Sequence, residues 1–265
     1  MPSAVAPSMT KAGMKVLIVY AHPRPDSLTG ALKDVAVQQL RADGHEVRIT
    51  DLYAMGWKAA ANTDDFGAVE ESNFMLASGE AYHNGTLSPD IRAEQEKLLW
   101  ADTVVLHFPL WWFGLPAILK GWVDRVLTCG FAYGAGGKAM PRYGAGVLAG
   151  RRAMLVVGIG GKRPSYSDRG INGPVEDLLF PIHHGVLYYT GMDVLPPFLV
   201  HDTIRLASER FEEVADDLRR RMSELRALEP IRYRPQGGGD YDRGLRLAAG
   251  READGATGFA LHVAS

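Results

Sequence analysis

Short apolar runs rich in β-branched residues alternate along this chain with segments whose apolar residues recur at helical spacing. The run "KVLIVYA" at 15–21 has the composition of a strand buried on both faces. A segment of helical period follows, and Gly44 ends it before a second strand at 46–51. Further strands are predicted at 102–108, 152–161 and 192–200. This alternation predicts an α/β fold, a doubly wound five-stranded parallel sheet with helices on both faces.

The periodic pattern covers only part of the 265 residues. Residues 1–13 have no apolar period and are expected to form a disordered leader, whereas 14–229 form the domain. From residue 230 the period is lost again, in "PQGGGDYDRG", which predicts an extended C-terminal arm at 230–265. Residues 54–89 also have no clear period, and we interpret them as a long excursion from the domain, of the kind that is often functional or covers a neighbour.

Composition excludes several classes of function. The net charge of -2 gives no electrostatic reason to expect nucleic acid or an anionic membrane as partner, and no apolar run is long enough to predict membrane insertion. The single cysteine, Cys129, rules out internal disulfides and fits a reducing cytoplasmic location; it is interpreted as a packed apolar residue. His183 and His184 are adjacent, so they do not share a helix face, and no metal site is expected.

Three unusual stretches each follow a predicted strand: 22–29, 109–113 and 158–166. Ligands of parallel sheets bind outside the carboxyl ends of the strands, so these stretches are predicted to meet at one site. In the first, "HPRPDSLTG", Ser27 and Thr29 stand at a helix N-terminus, which suits a phosphate group. Ser27 could equally serve as an ordinary helix N-cap. Neither GxGxxG nor the P-loop pattern is present.

The other two stretches also admit two interpretations. Trp111, Trp112 and Phe113 could be core or dimer contacts, or they could form the walls around a flat ligand. The five glycines of "GIGGKRPSYSDRGINGP" could form a surface loop, or they could allow the backbone to approach a ligand closely. Together the three stretches fit a cofactor with a phosphate tail and a flat redox ring, such as an isoalloxazine, better than any one of them does alone.

Several motifs resemble those of the NAD(P)H:quinone oxidoreductases, the DT-diaphorase-like members of the flavodoxin-like superfamily. The motifs are "YAHPRPDSLTGALK", "DLYAMGW", "LSPDIRAEQEKL", "FPLWWFGLPAILKGWVDRV", "GFAY" and "GVLYYTG", in the same order and with similar spacing. The resemblance covers about residues 14–230. It implies a flavodoxin-like fold and a homodimeric flavoenzyme with FAD rather than FMN, which takes hydride from NADH or NADPH and reduces quinones in a ping-pong, two-electron cycle.

The resemblance also implies roles for particular residues. The cofactor's diphosphate and ribose are expected at His22, Ser27, Leu28 and Thr29. The flavin ring is expected against Pro109, Leu110, Trp111, Trp112 and Phe113, and against Gly158, Ile159, Gly160 and Gly161. Arg210 is expected near the adenosine end, and Tyr166 is expected to stabilise the reduced flavin. Ala132, Tyr133 and Gly134 match a segment that covers the quinone pocket of the partner subunit.

Two positions depart from the family pattern. The better-known members have a histidine six residues after the active-site tyrosine, where this chain has Asn172. The resemblance therefore implies that Asn172 is a catalytic residue beside Tyr166, although an asparagine cannot change its charge near neutral pH. A second tyrosine expected after Tyr133 is replaced by Ala135, which opens the pocket. The acceptor could therefore be an azo or nitro compound or a biosynthetic quinone. An alternative from another class is a regulatory flavoprotein subunit of a potassium-efflux transporter.

Overall fold

The computed structural model describes residues 13–134 and 141–264. The leader expected at 1–13, apart from its last residue, and Ala135 lie outside the described residues. Six strands form one sheet: β1 (Lys15–Tyr20), β2 (Glu46–Asp51), β3 (Thr103–Pro109), β4 (Arg152–Gly158), β5 (Asp193–Val194) and β6 (Phe198–Val200). The order is β2-β1-β3-β4-β5, with β6 also paired to β4, and every pairing is parallel. The predicted flavodoxin-like, doubly wound α/β architecture is confirmed.

The helices that surround the sheet are α1 (Leu28–Ala42), α2 (Phe74–Asn84), α3 (Pro89–Trp100), α4 (Ala117–Val126), α5 (Val175–Ile182) and α6 (Ser208–Ser223). Each face of the sheet carries its own core. Leu17 and Val19 of β1 pack into one apolar cluster with α3 and α4, whereas Val16 and Ile18 pack into the other with α1 and α6. Burial on both faces explains why the first strand is a continuous apolar run rather than an alternating one.

The predicted fifth strand is interrupted. β5 pairs with the start of β4 and β6 pairs with its end, and Pro196 and Pro197 lie between the two short strands. Proline has no backbone N–H to donate, so the ladder cannot continue through these two residues. The fifth position of the sheet is therefore occupied, as expected, but by two short strands. His201 follows β6 directly.

The excursion at 54–89 is more regular than the sequence suggested, because it contains α2. Asn73 caps this helix by accepting hydrogen bonds from the amides of Met75 and Leu76, and Gly85 ends it with a left-handed φ of 69°. The excursion is tied to the domain by Arg125 of α4, whose guanidinium donates to Asp65 at 2.8 Å.

Residues 230–264 contain no helix longer than one short 3₁₀ turn, at Gly258–His262. It nevertheless packs on the domain, since the Ile231 amide donates to the Val194 carbonyl at 2.7 Å and Tyr233 is buried. The phenol of Tyr188 donates to the carbonyl of Tyr233 at 2.9 Å. The assignment of 230–265 as a separate arm stays a prediction.

Candidate functional site

The three unusual stretches lie together at the carboxyl ends of β1, β3 and β4. The ring of His22 is 6.1 Å from that of Trp111, which joins the first stretch to the second. The ring of Phe113 is 6.5 Å from that of Tyr166, which joins the second to the third. The structure thus brings the three stretches to the carboxyl edge of the sheet, where the connection after β1 leads to β2 on one side and the connection after β3 leads to β4 on the other. This is the topological switch point at which doubly wound folds bind their ligands.

The first stretch ends in the N-terminus of α1. Ser27 is the N-cap, and its Oγ accepts a hydrogen bond from the Gly30 amide at 3.1 Å. The amides of Leu28 and Thr29 belong to the first helical turn, so they have no intrahelical acceptor. The structure therefore supports the N-cap interpretation for the Ser27 hydroxyl, while it leaves two helix amides and the positive end of the helix dipole available for an anion.

The aromatic stretch forms a tight, strained turn. Trp111 and Gly114 exchange two backbone hydrogen bonds, of 3.2 and 3.0 Å, around two central residues. Those central residues, Trp112 and Phe113, have φ values of 49° and 60°. Positive φ at both central positions is the pattern of a type I′ turn, which favours glycine or asparagine and disfavours bulky side chains.

The aromatic side chains of this turn are also poorly covered. Trp112 is 97% exposed and Phe113 is 48% exposed. Their position is thus unfavourable for both the backbone and the side chains in the isolated chain. Core packing does not explain these residues, because a core residue would be buried. A flat apolar ligand placed against the turn would cover these exposed rings.

In the third stretch, glycines stand where neighbouring side chains lie too close to the backbone for a Cβ atom. A Cβ added at Gly161 would lie 2.9 Å from Cε2 of Tyr166, and one at Gly160 would lie 3.0 Å from Cδ1 of Ile204. Ile159 donates its amide to the Val200 carbonyl at 2.7 Å, which fixes the loop to β6. Gly158 faces the first stretch, since a Cβ there would be 3.8 Å from Oγ1 of Thr29.

The donors at this edge fit a polar ring edge. Among residues 13–134 and 141–264, the amides of Trp112, Phe113, Gly160 and Gly161 donate to no protein group. Unpaired amides beside exposed aromatic rings are what an isoalloxazine requires, because its faces are apolar and its edges accept hydrogen bonds. The residues present thus fit a flavin, and the Leu110 amide, which donates to the Gly158 carbonyl at 2.8 Å, braces two of the three stretches against each other.

Tyr166 stands at the end of a 3₁₀ turn, Arg163–Tyr166, and is half-buried. Its ring also contacts His201, with centroids 5.6 Å apart. Asn172, the other residue predicted to be catalytic, is directed elsewhere: its amide Nδ2 donates to Ser165 Oγ at 3.4 Å and its backbone N–H donates to the Ser165 carbonyl at 2.9 Å. Within the described chain no hydrogen bond joins Asn172 to Tyr166.

Arg210 is exposed on α6, and its Nη2 donates to the carbonyl of His201 at 3.2 Å.

Two concave regions flank the three stretches. One, of about 510 Å³, is lined by Tyr166, His201 and Arg163 among others. The other, of about 320 Å³, lies between Leu28, Ile204 and Phe211, beside the helix N-terminus.

Ala132, Tyr133 and Gly134 have no hydrogen bond or ring contact to the three stretches among the described residues. The ring of Tyr133 is 6.4 Å from the ring of Tyr189, and burial raises the pKa of its phenol. Within one chain, therefore, Tyr133 is not shown to contact the aromatic turn. This placement agrees with the expectation that it serves another subunit, which stays a prediction.

His201 is the main site residue that the sequence did not reveal. It has no recognisable motif, and it becomes a neighbour of Tyr166 only because β6 pairs with β4. Ile204, which is 82% exposed and covers Gly160, was also missed. A signal was present in "PPFLVHDTI", since a polar residue that directly follows a buried strand at the carboxyl edge lies near the site.

Two negative findings concern the described residues only. No cluster of three or more His, Cys, Asp or Glu side chains there has the arrangement of a metal site. None of the helices in 13–134 and 141–264 has the length and apolar character that crossing a membrane demands.

Comparison with known proteins is consistent with this geometry. A family model for the flavodoxin-like fold matches residues 14–225. The ribosyldihydronicotinamide dehydrogenase-like protein traD of Penicillium crustosum is 49% identical over 258 residues, 94% of this chain and 96% of that protein. Human ribosyldihydronicotinamide dehydrogenase (quinone) is 44% identical over 190 residues, 70% of this chain and 80% of the human protein.

A solved structure is similar as well. A Klebsiella pneumoniae protein, provisionally assigned as a quinone reductase, is 50% identical and superposes with a TM-score of 0.91, over 95% of this chain and 100% of that one. Nothing in these comparisons supports the potassium-efflux alternative. The chain belongs to the flavodoxin-like family, together with the ribosyldihydronicotinamide and NAD(P)H dehydrogenases of the quinone class.

Proposed function

We propose that this protein is a flavin-dependent NAD(P)H:quinone oxidoreductase that reduces quinones by two electrons. The observation that carries the proposal is the strained, exposed turn of Trp112 and Phe113, which meets a helix N-terminus and a glycine loop at the switch point of the sheet. A bound flavin would supply the redox chemistry, by taking a hydride from the nicotinamide and passing it to the quinone.

The chain's own residues bind and orient the cofactor. The free amides of Leu28 and Thr29 hold the phosphate tail, with the α1 dipole adding electrostatic attraction. Trp111, Trp112 and Phe113 cover the ring. A backbone hydrogen bond fixes the aromatic stretch to the glycine loop, and Ser27 caps α1 in the first stretch, so these groups are in place before the ligand binds and little ordering is needed on binding.

Tyr166 and the glycine loop act on charge. The amides of Gly160 and Gly161 and the Tyr166 hydroxyl are fixed donors at the ring edge, where they favour the negative charge that develops during turnover. Asn172 is held by Ser165, so a tyrosine–asparagine relay receives no support from the geometry.

We infer FAD rather than FMN as the cofactor. The cavity of about 320 Å³ is lined by Leu28 at the start of α1 and by Ile204, Leu206 and Phe211, whose apolar side chains would contact an adenine ring. Arg210 donates to the His201 carbonyl and is adjacent in sequence to Phe211. We therefore propose only that Arg210 lies near the adenosine end of the cofactor, without a direct contact to it. Chromatography of the flavin released on heating decides between the two cofactors, and FMN would overturn this inference.

We also infer that the enzyme is a homodimer. Phe74, Met75 and Leu76, at the start of α2, are each 46–48% exposed and form an apolar patch whose natural cover is a second copy. Tyr133 and Tyr189 of one subunit would then close the quinone pocket of the other. Light scattering that shows a fully active monomer would contradict this. A cytoplasmic location is proposed on the single, buried cysteine.

The function itself is tested by steady-state kinetics on the flavin-loaded protein. NADH, NADPH and reduced ribosylnicotinamide are each offered with a panel of quinones, azo compounds and nitro compounds. We expect flavin-dependent quinone reduction with parallel double-reciprocal plots, the pattern of a ping-pong cycle. Protein that binds flavin but reduces none of these acceptors would overturn the proposal.

A further inference from the structure

The histidine expected beside the active-site tyrosine is absent from its usual place, yet Tyr166 does have a histidine neighbour. Asn172 is held by Ser165. The ring of His201 lies 5.6 Å from the ring of Tyr166, at an interplanar angle of 54°. Both residues line the same cavity of about 510 Å³.

The backbone holds His201 in this position. Its predecessor, Val200, ends β6 and accepts the amide of Ile159, whereas its successor, Asp202, donates to the Gly161 carbonyl at 3.0 Å. Asp202 has a φ of 61°, a left-handed conformation that is uncommon for a residue other than glycine. Backbone hydrogen bonds from the residues before and after His201 therefore fix its position relative to the glycine loop.

The imidazole is buried and incompletely satisfied. His201 is 9% exposed, and its Nδ1 has no hydrogen-bond partner in the described chain. A buried nitrogen without a hydrogen-bond partner destabilises the fold, so its retention next to Tyr166 requires a reason. An unpaired ring nitrogen can accept a proton without first breaking a hydrogen bond.

Burial and the charged groups around His201 determine the pKa at which its imidazole accepts a proton. Burial lowers its pKa most, the neighbouring charges of Arg163 and Arg210 lower it further, and the Gly161 carbonyl and Glu176 raise it. The imidazole is thus neutral at pH 7. New negative charge on the Tyr166 side of the site would have the opposite effect and raise the pKa of His201.

We propose that His201 is the positioning and proton-accepting partner of Tyr166, in place of the usual histidine six residues after the tyrosine. It holds the phenol against the glycine loop. When the site gains negative charge in turnover, Nδ1 of His201 binds one proton from the water of the adjoining cavity, and the proton is returned when the charge leaves with the acceptor. This inference rests on the proposed function.

The test compares His201→Gln with His183→Gln. His183 is a suitable control because it is also buried, its Nε2 also has no partner in the described chain, and it does not line the cavity beside Tyr166. The pH dependence of the midpoint potential of the bound flavin is measured for both variants and for the wild type. We expect one inflection to be lost in His201→Gln and kept in His183→Gln.

A second measurement is needed if His201→Gln does not fold. NMR of the ring-labelled wild type follows the His201 resonance with pH. We expect titration below 6.5 with oxidised flavin and a rise of about 1–3 pH units after reduction. In flavin-free protein, Tyr166→Leu should shift this resonance, because it removes the adjacent ring.

The outcomes separate the two proposals. An unchanged potential–pH curve in His201→Gln, or a His201 titration that does not move on reduction, overturns the role of His201 even if quinones are reduced normally. Failure to bind flavin or to reduce any acceptor overturns the proposed function. In that case a missing shift in Tyr166→Leu would additionally overturn the contact between the two rings.

Discussion

The turn at Trp112 predicts a measurable conflict between stability and cofactor binding. Trp112→Asn removes the aromatic side chain and introduces a residue that tolerates a positive φ. Trp112→Ala removes the same side chain, but alanine at a φ of 49° is strained as tryptophan is. The pair therefore separates the backbone strain from the loss of the indole ring, and both variants are made in the full-length protein.

The magnitude follows from exposure and backbone geometry. Because Trp112 is 97% exposed, the 3% that is covered corresponds to about 8 Å² of a side chain of about 250 Å². At about 25 cal/mol per Å² this burial contributes only about 0.2 kcal/mol. The left-handed conformation costs about 1–2 kcal/mol in a residue other than glycine or asparagine. In flavin-free protein, Trp112→Asn should thus be more stable than wild type by about 1 kcal/mol, and Trp112→Ala should differ little.

The assay is denaturant unfolding of flavin-free protein, with thermal unfolding as a second probe. For a domain of this size the gain corresponds to about 2–4 °C in Tm. Flavin binding, measured by fluorescence quenching, should weaken in both variants, because the ring has lost one of its walls. Equal stability of the Asn and Ala variants would refute the argument from strain, and unchanged flavin affinity in both would refute the role of Trp112 as a wall.

Three further predictions concern other parts of the molecule. Tyr166→Phe should retain flavin, and stopped flow should show that NAD(P)H reduces this flavin roughly tenfold more slowly than in the wild type. Loss of a fully enclosed donor would slow the reaction about a hundredfold, but here a water molecule can replace the hydroxyl. A wild-type rate would show that Tyr166 only lines the site. Arg125→Met should cost up to about 3 kcal/mol in urea unfolding, since the 2% exposed Asp65 then keeps only the partly exposed Lys58 as its cation. Lys120→Met, from an exposed pair on the same helix, should change stability by at most about 1 kcal/mol. Equal losses in the two variants would refute the argument from burial. Burial lowers the pKa of His107 to about 3, so between this value and the unfolded pKa of about 6.5 the unfolded chain binds one more proton than the fold. Stability should therefore decrease by up to about 1.4 kcal/mol for each unit by which the pH is lowered through this window. His107→Gln should lose that part of the slope between pH 6 and 4, and an unchanged slope would show that His107 is not neutral in the fold.

The sheet was predictable because its strands carry a strong local pattern. Apolar residues on both faces of β1 reflect burial between two cores, and that requirement is visible in the run itself. The convergence of the three stretches followed from the parallel topology alone. By contrast, α2 was missed because its buried face consists of Ala77, Ser78, Gly79 and Ala81, which give no hydrophobic period. Its caps, Asn73 and Gly85, were the available signal.

The remaining features depend on contacts that sequence spacing does not encode. A type I′ turn is not expected at Trp112 and Phe113, because both residues disfavour it, so only the three-dimensional fold reveals the strain. His201 lies far from Tyr166 along the chain, and only the pairing of β6 with β4 brings the two rings together. The interruption of the fifth strand was visible as Pro196 and Pro197, whose effect on the ladder depends on their position in the sheet.

The backbone bond from Ile231 to Val194 has a consequence for the solubility of the protein. β5 is only two residues long and lies at the edge of the sheet, where unpaired backbone groups would invite pairing with another chain. The two prolines after β5 and the segment beginning at Ile231 cover that edge, so they prevent another strand from pairing with it. A chain shortened to residue 229 would expose this edge and, we expect, would aggregate during folding even though every residue of the candidate site is retained.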